Sequence, residues 1–188
     1  MGWRLFVAVD LGAKVRRALE ALQSELSTLA PRARWGPPSN AHLTLAFLGS
    51  MEEAKVPELS RALEGVATRA APFDLQLRGG GAFGSPKKPR VLWVGVEGDT
   101  ARLHQLQAWT GSALQPLGYE PEERDYRPHL TLARARDPRG DPGLARCAGA
   151  LADRALGAAR VDRLILFRSQ PGPGGSKYTP LAEPPLSG

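Results

Sequence analysis

The pentapeptide His42-Leu-Thr-Leu-Ala46 returns, letter for letter, as His129-Leu-Thr-Leu-Ala133. Both copies read as short strands, because leucine alternates with polar residues. Successive side chains of a strand face opposite ways, so His42 and Thr44 share one face while Leu43 and Leu45 pack into the core. His129 and Thr131 do the same in the second copy. Each copy lies between helical patterns, which points to two similar α/β lobes fused about a pseudo-twofold axis. Across such an axis the polar faces line one cleft, where two imidazoles and two hydroxyls converge. A lone histidine on a strand is more often a satisfied polar residue than a catalyst. Its return with threonine at the same offset reverses that reading.

Working outward, residues 4–11 read as a buried strand. Residues 14–29 read as a helix, with Val15, Leu19, Leu22, Leu26 and Leu29 on one face and a stop near Pro31. The first motif strand, 42–48, ends at Gly49, and a helix over 52–70 holds Pro57 in its first turns. Strands 73–77 and 91–96 flank a glycine- and proline-rich loop over 79–90. Helices are expected over 100–117 and 143–156, on either side of the strand 129–133. A strand over 161–167 follows, and a last extended segment lies within 177–186. His104 reads as an ordinary helix residue.

A chain of 188 residues fits one domain. With 42% hydrophobic and 23% charged residues, it is neither disordered, fibrous nor membrane-embedded. Lys and Arg total 25 against 19 acids, a net charge of +6, and 20 of the 25 are Arg. The guanidinium fork suits phosphate, so an anionic partner such as nucleic acid is expected. The single cysteine, Cys147, excludes an internal disulfide and reads as a buried thiol. The chain has three histidines, and His-x-Thr provides no second strong ligand, so no metal and no cofactor are expected. Neither Gly79-Gly-Gly-Ala-Phe-Gly84 nor Gly174-Gly-Ser-Lys177 completes a phosphate loop, which speaks against ATP use. The N-terminus lacks a signal-peptide pattern, and no apolar run nears the ~18 residues of a span. A cytoplasmic monomer without membrane contact is the expectation.

Two opposed histidines suit a reaction that removes one proton while supplying another, since imidazole titrates near pH 6.5. Phosphodiester cleavage needs such a pair. Threonine hydroxyls can donate to the non-bridging oxygens, and nearby arginine can offset charge at phosphorus. Arg127 and Arg134 are candidates for phosphate contact. Arg127 shares strand parity with His129, whereas Arg134 does so only if a bulge re-aims it. Phe47, Trp35 and Phe83 could stack on a base, and Lys87, Lys88 and Arg90 could grip an RNA backbone.

The two His-x-Thr-x segments, together with Arg4-Leu-Phe-Val-Ala-Val-Asp10, Phe73-Asp-Leu-Gln-Leu77 and Tyr178-Thr-Pro-Leu181, resemble the 2H phosphoesterase superfamily. Within it the chain is similar to the RNA 2′,3′-cyclic phosphodiesterases, also called bacterial and archaeal 2′-5′ RNA ligases. The resemblance implies an α+β, bilobal 2H phosphoesterase fold over 1–188 as a single domain. Two pseudo-twofold lobes of antiparallel-rich sheet, with outer helices, would enclose a central cleft. It also implies metal-independent hydrolysis of an RNA 2′,3′-cyclic phosphate end to a 2′-phosphate. His42 would protonate the leaving 3′ oxygen, His129 would activate water, and Thr44 and Thr131 would hold the phosphate. The same pair acting in reverse would join RNA ends through a 2′-5′ bond. Two other readings stay open: a phosphoesterase of small cyclic nucleotides or 2′-5′ oligonucleotides, and a non-catalytic RNA- or nucleotide-binding module.

Overall fold

The computed structural model describes residues 2–172 and 175–188; Gly174, in the second phosphate-loop lookalike, lies outside them. Two antiparallel sheets carry the fold. The first has the order β3(His42–Met51), β1(Trp3–Asp10), β8(Ile165–Gln170), β9(Lys177–Ala182). The second runs β2(Arg34–Trp35), β6(His129–Arg134), β5(Pro89–Gly98), β4(Phe73–Gly84), β7(Ala155–Val161). The repeated pentapeptide begins β3 and β6, as its alternation predicts, and these strands approach each other between the sheets.

The lobes are not the two halves of the chain. Strands β8 and β9 return from the C-terminal half to complete the first sheet. The helices are exchanged as well. α1(Gly12–Leu26) leaves β1 of the first sheet and packs on β7 of the second, while α3(Thr100–Leu114) leaves β5 of the second and packs on β3 of the first. α4(Pro142–Leu151) joins α1 on the second sheet, and α2(Val56–Ala67) lies beside α3. Val15, Leu19, Leu22 and Leu26 of α1 are all buried. Fully burying such an aliphatic side chain contributes about 1.5–3 kcal/mol, so undoing this exchange would expose both lobes' cores.

Local chemistry explains most boundaries. Pro57 stands in the first turn of α2, where its missing N–H costs nothing. Asp141 caps α4 by accepting from the Gly143 N–H at 2.7 Å. The helix expected to reach Leu117 ends earlier, at Leu114, in a 3-10 turn closed by Gly118 at φ 98°. Cys147 is buried, its thiol donating to the Leu26 carbonyl at 3.4 Å.

Two expectations are corrected. The helix expected over 143–156 stops at Leu151, and residues from Ala155 to Val161 form β7. That segment turns Leu156, Ala159 and Val161 inward and pairs along β4, and tertiary pairing overrides the helical propensity of its alanines. The loop expected over 79–90 is mostly strand: β4 runs to Gly84, and β5 resumes at Pro89. Gly81 pairs with Trp93, and a Cβ there would sit 2.6 Å from the indole. The glycine makes room for the ring.

Candidate active site

Both motif strands show the same burial pattern. His42 and Thr44 are half-buried, Leu43, Leu45 and Ala46 are buried, and Phe47 is exposed. His129 and Thr131 are half-buried, Leu130, Leu132 and Ala133 are buried, and Arg134 is exposed. Two consecutive buried residues break strict alternation, and the pairing shows why. β3 shifts register against β1 between Thr44 and Ala46, and β6 shifts against β5 between Thr131 and Ala133. Each motif therefore holds a bulge at its second leucine, which returns the next side chain to the cleft face. That settles the parity question for Arg134.

The imidazoles are held alike. His42 Nδ1 lies 2.6 Å from the Asn40 carbonyl oxygen, and His129 Nδ1 lies 2.7 Å from that of Arg127. A carbonyl only accepts, so each Nδ1 carries the proton and each Nε2 is left for chemistry. His42 Nε2 stands 3.1 Å from Thr44 Oγ1.

A cleft of about 930 Å³ joins the lobes. His42, Thr44 and Phe47 line it from the first motif, with Thr131 and Arg134 from the second. His129 shares its strand face with Thr131 but stands beside the cleft, outside the lining residues, where its ring meets Phe83 edge-on at 5.1 Å. Arg127 precedes β6 with an exposed side chain that does not line the cleft. Its carbonyl, rather than its guanidinium, touches the motif. Trp35 lines the cleft, half-buried, with its indole N–H donating to the Ala30 carbonyl at 3.2 Å. Lys87 and Lys88 sit exposed at the β4–β5 tip. His104 is a helix residue on α3, bonded at Nδ1 to the Thr100 carbonyl.

The surroundings of His42 were not legible in the motif. Phe6 of β1 and Tyr178 of β9 lie 4.9 and 5.3 Å from its ring, and Phe167 of β8 lies 6.2 Å away. Burial among these rings pushes the His42 pKa below its ordinary 6.5, against the opposing pull of the Asn40 carbonyl and the Asp10 carboxylate. The neutral form of the His42 ring is therefore favoured at pH 7. Arg34 and Arg136, also missed, line the cleft beside Arg134. The signal for Arg34 was cross-strand pairing, which only the fold reveals. Among the described residues, no group of three or more His, Cys, Asp or Glu could hold a metal ion. No helix there is long and apolar enough to cross a membrane.

The sequence profile of the family described as LigT like Phosphoesterase matches residues 9–93 and 94–178, a division that cuts through β5. An RNA 2′,3′-cyclic phosphodiesterase of Methanothermobacter thermautotrophicus is 34% identical over 95% of this chain and 96% of its own. A relative of the same name from Archaeoglobus fulgidus is 32% identical over 95% and 97%. Among solved structures, a Thermus thermophilus protein superposes with a TM-score of 0.82 at 30% identity, covering 98% of each chain. LigT of E. coli, solved with 3′-AMP, gives 0.75 at 27% identity over the whole of both chains. With its fold, its doubled motif and both halves of its sequence in agreement, this chain belongs to the LigT-like phosphoesterase family.

Proposed function

We propose that this enzyme, acting as a single two-lobed domain, hydrolyses the 2′,3′-cyclic phosphate at an RNA end to a 2′-phosphate, with His42 and His129 as acid and base. The observation that carries the reading is the matched pair of Nδ1–carbonyl contacts, which presents two imidazoles in the same tautomer, with Nε2 of His42 beside the Thr44 hydroxyl. The relatives named for this activity, and the nucleotide held by the E. coli protein, support it.

In this reading the cyclic phosphate lies between Thr44 and Thr131, whose hydroxyls donate to its non-bridging oxygens. His129 Nε2 takes a proton from water as the water oxygen bonds to phosphorus. The bond from phosphorus to O3′ breaks, and His42 Nε2–H delivers its proton to O3′. Arg134 offsets charge on the phosphoryl oxygens, and Phe47, 58% exposed beside the site, gives a face for the terminal base. No step calls for a metal ion. A 5′-hydroxyl in place of water would give a 2′-5′ bond, but water's concentration favours hydrolysis.

The acid must be charged when the reaction starts, although burial favours neutral His42. The substrate supplies the remedy, because an anion within a few ångströms of Nε2 favours imidazolium. The proposal is tested with a short RNA ending in a 2′,3′-cyclic phosphate, incubated with EDTA and without ATP. The wild-type protein should yield a 2′-phosphate, and His42→Ala and His129→Ala should not. No conversion by folded wild-type protein would reject the reading.

A further inference from the structure

Arg34 and Arg134 are direct register partners across β2 and β6, and both side chains are exposed on the cleft. Like charges directly opposite on neighbouring strands repel. Six of the 20 arginines pair with a carboxylate: Arg16 with Asp10, Arg102 with Asp99, Arg139 with Asp137, Arg154 with Glu25, Arg160 with Asp74 and Arg163 with Asp162. Among the described residues, no carboxylate pairs with Arg34, Arg134 or Arg136. Glu122 lines the same cleft without pairing with any of them. Arg136 follows two residues after Arg134, held there because the Ala135 N–H donates to the Arg90 carbonyl at 2.9 Å. Three guanidiniums without a carboxylate partner stand on one wall, two of them in direct register, a positive concentration that suits an anion.

The anion is not the reacting phosphate. That group is already assigned to the histidines, the threonines and Arg134, and Arg34 and Arg136 flank Arg134, itself three residues along β6 from Thr131 at roughly 3.3 Å per residue. The cleft is also large for one nucleotide. At about 930 Å³ it lies near the top of the roughly 300–1,000 Å³ that encloses a drug-sized ligand. We propose that Arg34, Arg134 and Arg136 form a subsite for the backbone phosphates next upstream of the RNA end, so that the enzyme selects an oligoribonucleotide over a mononucleotide. This rests on the hydrolytic reading above. The linking phosphate docks on the Arg34–Arg134 pair, and Arg136 takes the next charge outward. Arg134 thereby serves both phosphates from the boundary between them.

The test compares a 2′,3′-cyclic mononucleotide with oligoribonucleotides of two, three and five residues bearing the same end. The wild-type kcat/KM should rise roughly 10- to 100-fold on adding the first linking phosphate, as expected for one charge-assisted contact. In Arg34→Ala, the ratio of dinucleotide to mononucleotide kcat/KM should collapse towards one, and in Arg136→Ala the further gain of the trimer over the dinucleotide should be lost. A dinucleotide whose linkage is a neutral methylphosphonate should lose the same factor in the wild-type protein, and Arg34→Ala should lose nothing further on it. For the pentamer, log KM should climb more steeply with log salt in the wild-type protein than in a variant carrying both Arg34→Ala and Arg136→Ala, by roughly 0.7 per phosphate neutralised. Equal kcat/KM at every length would overturn the subsite while leaving the hydrolytic reading standing. So would an equal loss on mononucleotide and oligomer in both variants. No turnover of any length by the wild-type protein would instead reject the hydrolytic reading itself.

Discussion

Laid over each other, the two sheets place β3 on β6, β1 on β5 and β8 on β4, and the same row of paired residues can be read across both. In the first sheet it runs Phe47, Phe6, Phe167. In the second it runs Arg134, Val91, Phe83, with Arg34 added beyond Arg134. The row beside each histidine differs too. His42 pairs with Asp10 and Thr44 with Ala8, whereas His129 pairs with Gly95 and Thr131 with Trp93. Backbone bulges, carbonyl contacts and motif residues are duplicated, while their neighbours are not. One lobe thus packs its histidine in an aromatic cage of Phe6, Phe167 and Tyr178, and the other sets its histidine edge-on to Phe83. A cyclic phosphate end is itself lopsided, with a base on one side and a chain of charges on the other.

The sharpest break in this comparison separates activity from stability. Removing either histidine should cost about 10²- to 10⁴-fold in kcat, the usual contribution of one proton-transfer group. The stabilities should part company. His42→Ala opens a hole among Phe6, Phe167 and Tyr178, which costs about 2–4 kcal/mol and roughly 5–15 °C in Tm. His129→Ala removes a half-exposed ring and should move Tm by less than about 2 °C. Steady-state kinetics and thermal unfolding of the two variants check this together; equal losses of Tm would show that the cage does not hold His42.

The next test exploits the equivalence of Phe47 and Arg134. Phe47→Ala should reduce kcat/KM by about 5- to 100-fold, the effect of losing one base-stacking face, with little change in Tm because the ring is exposed. Arg134→Ala should lose about 10- to 100-fold. The losses should differ in kind: salt should narrow the gap between Arg134→Ala and the wild-type protein, and should leave the Phe47→Ala gap open. A salt-sensitive Phe47→Ala defect would sink the division of labour.

Much of this was legible in the sequence because it is local. Alternation placed His42 with Thr44 and His129 with Thr131, and the repeat announced two lobes. What remained hidden depends on strands distant in the chain. Phe167 and Tyr178 reach His42 only because β8 and β9 return to the first sheet, and Arg34 reaches Arg134 through a two-residue strand with no periodicity to detect. The bulges at Leu45 and Leu132 were invisible for a related reason, since a bulge belongs to a pair of strands. The helical pattern over 143–156 runs on into Ala155 and Leu156 because alanine favours helices, and pairing with β4 outweighs that preference.

The aromatic cage also predicts how the two kinetic parameters respond to pH. kcat/KM reports groups in the free enzyme, and kcat reports those in the complex. With His42 as the acid, its imidazolium is required, so kcat/KM should fall with rising pH through a midpoint below 6.5. Once phosphate is bound, the same limb should appear in kcat at higher pH. A kcat/KM with no limb that falls with rising pH would show that the reaction does not require the His42 imidazolium.

The smallest expected effect is on folding. Because folding lowers the His42 pKa, the unfolded chain takes up the proton first as the pH falls. Stability from this group is fully present above about pH 6.5 and is lost as the pH falls from there through the folded pKa. His42→Phe keeps an aromatic ring in the cage and removes the titration. It leaves the Asn40 carbonyl without its donor, a cost that does not change with pH. Between pH 7 and pH 5, the Tm of the wild-type protein should therefore fall by more than that of His42→Phe. Parallel Tm curves for the two proteins would mean that the cage opens to water readily enough to admit the charged ring. The first lobe would then hold its histidine no differently from the second.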